Sequence, residues 1–217
     1  MIITNISPQK NKQDRYNLFV DEEFFCGISS LTLAKENLYK GLEVNDKRLE
    51  KILFVELENR IFERTAQNIT NHPKTEFQVK RYIRDLLFKK QGSWFSKDLD
   101  LNKEKLEEKV ISRLTKYGFI NDQAYAKAFV ESRIKNKPRG KRVLINELRK
   151  KGISKDIAEE VCNSLVEDEE DLLRKVYTKR YKDEKFSNKD TKKIQYLQRK
   201  GFSWDLIKKL ITDDTGE

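Results

Sequence analysis

The chain has 217 residues, of which 37 % are hydrophobic and 38 % charged, with 46 Lys and Arg against 36 Asp and Glu. No run approaches the ~20 apolar residues that span a bilayer, and the N-terminus lacks the apolar stretch of a signal peptide. These features predict a cytoplasmic protein without a membrane partner. The net charge of +10 favours an acidic partner such as a nucleic acid, although lysine-rich composition accounts for part of it.

The first quarter of the chain has a β-type sequence pattern, followed by a helical one. Short β-type runs cover residues 2–6, 16–20 and 24–26, with a polar turn at 21–23. They predict a small hairpin or three-stranded sheet, which is marginally stable alone. A helical pattern over residues 30–41 is predicted to end at Gly41. Residues 1–55 are therefore predicted to form an N-terminal extension of strands plus helix.

From about residue 46 onward the apolar periodicity is helical almost without interruption. A helix break is predicted at Asn71, His72 and Pro73, because proline removes a backbone donor and cannot continue a helix. Residues 91–103 lose the periodicity and are predicted to be a loop. Trp94, which lies in this loop, is expected to be exposed.

Three glycines share one pattern that is typical of helix ends. Each has a leucine four residues before it and an apolar residue directly after it, which is the Schellman pattern with a left-handed glycine. The glycines are Gly118, Gly152 and Gly201, the leucines Leu114, Leu148 and Leu197, and the apolar residues Phe119, Ile153 and Phe202. After the second and third glycines, Ser154 and Ser203 are predicted to cap new helices whose first turns hold Asp156 and Asp205.

These helix ends recur with a spacing of about 50 residues. A shift of 49 residues places 148–161 on 197–210 with matching Leu, Lys, Gly, Ser and Asp. The repeat predicts a mainly α fold of tandem three-helix units in a curved array. The predicted units are 56–118, which includes the loop at 91–103, then 119–167 and 168–217. The alternative is one irregular helical domain whose likeness comes from shared capping.

Three motifs follow one another in the middle of the chain: YGFINDQAYAKAFVESRI, the basic linker KPRGKR and LINELRKKGIS. Together and in this order they resemble the RecX family, bacterial regulators of the RecA recombinase. Residues 60–211 resemble the family's three tandem three-helix repeats, and RYNLFVDEEFF with LTLAKENLYKGLEV resembles the extension of longer members. The chain departs from the family at Pro138 and Arg139 and in the lengthened first repeat. The resemblance implies a protein that binds the RecA–DNA filament and inhibits or remodels it without chemistry of its own, and we expect a monomer.

A search for catalytic and metal-binding patterns agrees with that implication. No phosphate-cradling Gly-rich loop is present, and the single histidine, His72, is predicted to lie on a surface loop. Asp98 and Asp100 resemble half of a metal site but are better explained as solvated loop charges. Cys26 and Cys162 are predicted to be buried, reduced thiols. We therefore expect no enzyme activity, no cofactor and no metal.

One basic run stands out as a candidate binding surface for the filament or for single-stranded DNA. It comprises Arg133, Lys135, Lys137, Arg139, Lys141 and Arg142, followed by Arg149, Lys150 and Lys151. Arg139, Lys141 and Arg142 are expected to lie where little packing would be lost on substitution. The alternatives are a solvated face, or a stand-alone protein that binds single-stranded nucleic acid. Nearby, Tyr117, Tyr125 and Phe129 could stack on bases but are predicted to be core.

Overall fold

The computed structural model describes residues 1–10, 14–96, 101–182 and 184–215. The described residues form three strands and ten helices, which confirms the mainly α fold with a small N-terminal sheet. They are β1 Ile3–Pro8, β2 Arg15–Val20, β3 Glu23–Ser29, α1 Ser30–Lys35, α2 Asp46–Asn71, α3 Glu76–Lys90, α4 Lys103–Lys116, α5 Asp122–Asn136, α6 Lys141–Lys150, α7 Lys155–Leu165, α8 Glu169–Tyr181, α9 Thr191–Lys200 and α10 Trp204–Thr215. The chain divides into two compact units, residues 1–73 with 79–120, and residues 74–78 with 121–217.

The sheet of the first unit is antiparallel with strand order β1-β2-β3, so the three-stranded alternative is the one observed. Asp21 and Glu22 connect β2 to β3 with φ of +48° and +70°. Two successive positive φ values give a turn whose twist matches that of the flanking strands. Leu18 and Cys26 lie opposite each other and are fully buried in the core of this unit.

The segment after α3 packs onto the sheet, and here the prediction of an exposed Trp94 was wrong. Trp94 is 5 % exposed, and its carbonyl accepts a hydrogen bond from the N–H of Gly27 at 2.9 Å. The Ser96 N–H donates to the carbonyl of Phe25 at 2.9 Å. The guanidinium of Arg60 lies 4.0 Å from the centre of the Trp94 ring. Over residues 91–96 the loss of helical periodicity reflects a β-like connection to β3, and residues 97–100 of the predicted loop lie outside the described part of the chain.

Helix α1 is shorter than the pattern over residues 30–41 predicted, because Asn37 ends it. Asn37 takes the left-handed conformation, with φ of +46°. The N–H of Leu38 then donates to the carbonyl of Leu33 at 3.1 Å, and the Asn37 N–H donates to that of Ala34 at 3.2 Å. This is the Schellman arrangement with asparagine in the glycine position. The helix therefore stops at Lys35, well before Gly41.

Helix α2 runs unbroken from Asp46 to Asn71 and ends at the predicted break before Pro73. The predicted boundary between residues 55 and 56 lies inside it. Its buried carboxylate, Glu56, is 2 % exposed and pairs with the guanidinium of Arg15 at 2.7 Å. The same carboxylate accepts hydrogen bonds from the Thr32 hydroxyl at 2.6 Å and the Ser29 N–H at 3.1 Å. The buried charge of Glu56 is therefore paired, and its contacts connect α2 to α1 and to the sheet.

The second unit contains α5 to α10 as two groups of three helices around one apolar core. Leu144 and Leu148 of α6 and Leu197 of α9 are fully buried in it. Ser154 caps α7 by accepting from the Ile157 N–H at 3.3 Å, and Ser203 accepts from the Leu206 N–H at the same distance. These contacts confirm the predicted caps.

The predicted helix ends are confirmed at all three glycines. Their φ values are +74°, +90° and +102° for Gly118, Gly152 and Gly201. In each case the N–H of the following residue donates to the carbonyl of the leucine five residues before it, over 2.9, 3.2 and 3.3 Å. The glycine N–H donates to the carbonyl three residues before it, which completes the Schellman motif.

Candidate binding surface

The basic linker between α5 and α6 is held in a defined conformation by its backbone. Lys137, directly before Pro138, has φ of −142° and ends α5, as expected for a residue that precedes proline. The N–H of Gly140 donates to the carbonyl of Lys200 at 2.9 Å. The N–H of Lys141 donates to the carboxylate of Glu169 at 2.7 Å. The first turn of α6 is therefore fixed by partners from α8 and α9.

Three cations of α6 form an exposed face. Arg142, Arg149 and Lys150 are all exposed, and helical spacing brings them to one side of the helix together with exposed Asn146. None of the three forms an ion pair within the described part of the chain. We call Arg142, Arg149 and Lys150 the α6 basic face. Lys135 and Lys137, at the end of α5, are also exposed.

The other four predicted cations are partly buried and make contacts within the fold. Arg133 pairs with Glu147 at 2.7 Å, and its guanidinium lies 4.7 Å from the centre of the Phe129 ring. The ammonium of Lys151 lies 5.3 Å from the same ring. Arg139 is partly buried, and its Nε is enclosed without a hydrogen-bond partner among the described residues. Lys141 is also partly buried.

The run of nine cations therefore separates into exposed and structural members. Arg139 and Lys141, which were expected to lie where little packing would be lost on substitution, are both partly buried, whereas Arg142 is exposed. Sequence spacing placed all nine near each other, but it did not show which ones already have a partner. The exposed members carry the charge that an external ligand can reach.

The nearby aromatic residues have unequal environments. Tyr125 and Phe129 are partly buried and pack against the core of the second unit, in agreement with the prediction. Tyr117 is 64 % exposed, so the prediction that it belongs to the core was wrong. Its ring packs against that of Phe62 at a tilt of 58°, with 5.8 Å between the ring centres. As the residue directly before a left-handed glycine, Tyr117 lies at the end of α4 and not on its buried side.

The structure describes some of the groups that were considered for catalysis and metal binding. Among the described residues there is no group of three His, Cys, Asp or Glu side chains that could hold a metal ion. His72 is exposed. Asp98 and Asp100 lie outside the described residues. Both cysteines are buried free thiols, as predicted, and burial raises the pKa of Cys162 to about 11 and that of Cys26 further still. None of the described helices has the length and apolar character needed to cross a membrane.

Three family models match this chain in order. The N-terminal domain of the regulatory protein RecX matches residues 1–45. The second three-helix domain of RecX matches residues 121–161, and the third matches residues 167–211. Together they cover more than half of the chain and include both helical groups of the second unit.

Curated relatives and solved structures give the same result. The regulatory protein RecX of Bacillus subtilis is 31 % identical over 94 % of this chain and 74 % of its own length. The regulatory protein RecX of Clostridioides difficile is 31 % identical over 97 % of this chain and 94 % of its own length. A crystal structure of a regulatory protein RecX superposes with a TM-score of 0.67 at 23 % identity over 98 % of both chains. The crystal structure of RecX from Lactobacillus salivarius superposes with a TM-score of 0.58 at 24 % identity, over 75 % of this chain and 99 % of the Lactobacillus salivarius chain. Both structures support the fold. With these matches along its length, the chain belongs to the RecX family of regulatory proteins.

Proposed function

We propose that this protein regulates the RecA recombinase by binding the RecA–DNA filament through the α6 basic face, with Lys135 and Lys137 beside it. Family membership supports the regulatory role. The observation that supports this choice of binding surface is that Arg142, Arg149 and Lys150 are exposed on one helix without ion-pair partners in the described chain. Exposed cations of this kind displace counterions from a polyanion and gain affinity by doing so.

The position of Arg142 adds weight to this proposal. It lies in the first turn of α6, where a cation opposes the helix dipole at a cost of some tenths of a kcal/mol. No acidic residue of the same turn compensates for it, and the Glu169 carboxylate that reaches this turn already accepts a hydrogen bond from the backbone N–H of Lys141. An exposed cation kept in an unfavourable local position is better explained by a partner than by folding.

The protein is proposed to act by binding to the filament and not by catalysing a reaction. A monomer that lies along the filament in the cytoplasm would contact both the recombinase and its bound strand, and would inhibit or remodel the filament. The described residues contain no metal-binding group of three acids, histidines or cysteines. Regulation by binding requires none.

The second candidate is a stand-alone protein that binds single-stranded nucleic acid and competes with the recombinase for it. The net charge of +10 favours this candidate too. Titration of the protein against naked strand and against preformed filament, over a range of salt concentrations, separates the two. A filament regulator binds filament more tightly than strand and keeps that preference as salt rises. A competitor binds naked strand at least as well, and loses affinity for both targets with the same steep salt dependence.

A further inference from the structure

A second group of cations lines a cleft between the end of α8 and α9, including the residues directly before α9. The cleft has a volume of about 610 Å³, within the range of sites that hold small ligands. We call it the α8–α9 cleft, and its lining includes Arg180, Tyr181, Lys189, Lys192, Tyr196 and Arg199. The α6 basic face does not include any of these residues.

Two charged groups of the cleft already have partners within the fold. Asp190 accepts hydrogen bonds from the backbone N–H of Ser187 at 2.9 Å and from its hydroxyl at 3.1 Å. The backbone hydrogen bond lowers the pKa of Asp190, so the group stays ionised. The ammonium of Lys193 donates to the carbonyl of Lys185 at 2.8 Å and lies 3.1 Å from the carboxylate of Glu184. These contacts hold the segment that leads into α9.

Three further cations of the cleft are exposed, and the acid that lies among them, Asp190, accepts its hydrogen bonds from Ser187. Lys189, Lys192 and Arg199 are exposed, and within the described residues none forms an ion pair. Lys189 and Lys192 flank the start of α9, whose first turn contains no acid and receives no side-chain cap. Two cations therefore lie at the positive end of α9, where the carboxylate of Asp190 offsets only part of the positive charge, and a bound anion would be attracted there.

The inner wall of the cleft is aromatic. The rings of Tyr181 and Tyr196 meet edge to face with 5.8 Å between their centres. The guanidinium of Arg180 lies over the Tyr196 ring, 4.3 Å from its centre, and the Lys200 ammonium lies 5.3 Å from it. Flat arginine and tyrosine groups are surfaces on which nucleobases stack. An acidic peptide would use the cations of this cleft but not its aromatic wall.

We propose that the α8–α9 cleft is a binding site for single-stranded nucleic acid. The backbone phosphates of the nucleic acid contact Lys189, Lys192 and Arg199, and one of its bases stacks against the Arg180–Tyr196 pair. The hydrogen bond from Gly140 to the Lys200 carbonyl brings the far end of α9 against the start of α6. The inference rests on the proposed function in one respect: it names the strand-contacting site of a protein proposed to act on a DNA-bound filament.

The test uses the full chain and a fluorescent oligothymidylate of about 15 nucleotides, with binding followed by anisotropy between about 50 and 200 mM salt. The cleft variant carries Lys189→Ala, Lys192→Ala and Arg199→Ala. The control carries Lys47→Ala, Lys127→Ala and Lys208→Ala, three exposed lysines outside both basic surfaces, and so loses the same charge. We expect the cleft variant to bind at least about fivefold more weakly than the control at about 100 mM salt, with a salt slope lower by about 2. Equal binding by the two variants would overturn the proposal.

A second variant tests the aromatic wall and does not depend on charge. Tyr196→Leu keeps an apolar side chain but removes the ring on which Arg180 lies. The parent should bind oligothymidylate at least about fivefold more tightly than an abasic strand of equal length, and the variant should lose that preference. If the parent shows no such preference, the cleft is a general polyanion site and the proposal fails. Circular dichroism confirms that each variant is folded.

Failure of this inference can be told apart from failure of the proposed function. If the protein binds and perturbs recombinase filaments, but the cleft variant holds naked strand as well as its control does, only the cleft assignment is wrong. If the cleft variant loses strand binding while the parent protein neither binds nor perturbs filaments, the cleft assignment stands and the proposed function is wrong.

Discussion

The carboxylate of Glu169 accepts a hydrogen bond from the backbone N–H of Lys141 at 2.7 Å. Glu169 itself lies in the first turn of α8, so one carboxylate stabilises the starts of two helices. Gly140, the residue before α6, has no side chain with which to cap it. Glu169 thus supplies the acceptor that the sequence around α6 lacks.

This relationship makes Glu169 a residue for stability and not for binding. Glu169→Ala should lower the free energy of unfolding by about 1 kcal/mol, because the first turn of α6 loses its acceptor. Glu169→Gln should cost less, since its amide oxygen can still accept the hydrogen bond. Urea denaturation followed by circular dichroism measures both. An alanine variant as stable as the parent would show that the contact contributes nothing.

Gly152 combines a left-handed backbone with a close neighbour. A Cβ at this position would fall too near the Cβ and ring of Phe77, whereas a Cβ at Gly118 would meet nothing within 4 Å. Gly152→Val should therefore cost more than the strain of a left-handed residue alone, about 3 kcal/mol or more, and Gly118→Val only about 1 to 2 kcal/mol. Thermal melting and urea denaturation compare the two. Equal losses of stability in the two variants would mean that the Phe77 side chain moves aside at no cost in free energy.

Arg133 tests whether a basic residue of the run serves the fold. Its ion pair with Glu147 and its position over Phe129 predict that Arg133→Ala lowers the free energy of unfolding by about 1 kcal/mol. At temperatures where the variant is folded, its affinity for recombinase filaments should stay within about twofold of the parent, since this charge is already paired. A stable variant that has lost filament binding would place Arg133 in the interface.

The cysteines should be unreactive in the folded protein. Burial raises the pKa of both thiols, to about 11 for Cys162, so the reactive thiolate is scarce at neutral pH. Iodoacetamide should modify neither residue in the native state and both after denaturation, as mass spectrometry can determine. Raising the pH to about 9 should accelerate native modification far less than it does for a free cysteine, whose pKa is about 8.5. Rapid native labelling of either residue would show that its helix or strand opens readily.

The sequence predicted those parts of the fold that follow local rules. The glycines at 118, 152 and 201 have the predicted conformation because a left-handed helix end depends on a few neighbouring residues. Asn37 follows the same rule, but its pattern is weaker because asparagine occupies many other positions. The buried pair of Arg15 and Glu56 joins residues 41 positions apart, and no local pattern reveals such a contact.

The candidate site was predictable as a region but not residue by residue. The run of cations identified the end of α5 and all of α6. Whether a given cation is exposed depends on partners far along the chain, such as Glu147 for Arg133. The α8–α9 cleft was missed because Arg180 and Tyr196 are 16 positions apart and meet only when α8 packs near α9. Aromatic residues that recur among cations on successive helices are the signal that could have indicated it.

The most direct test of the proposed function is filament binding by a variant in which Arg142, Arg149 and Lys150 are all replaced by glutamate. The matched control replaces Lys47, Lys127 and Lys208 by glutamate, which changes the net charge by the same amount at exposed positions elsewhere. Both variants should fold as the parent does, because all six side chains are exposed. We predict that the first loses most of its affinity for RecA filaments and its suppression of their ATP hydrolysis and strand exchange, while the control keeps both. A folded α6 variant that binds and inhibits as well as the control would contradict the assignment of this face, and a parent protein without effect on filaments would contradict the function itself.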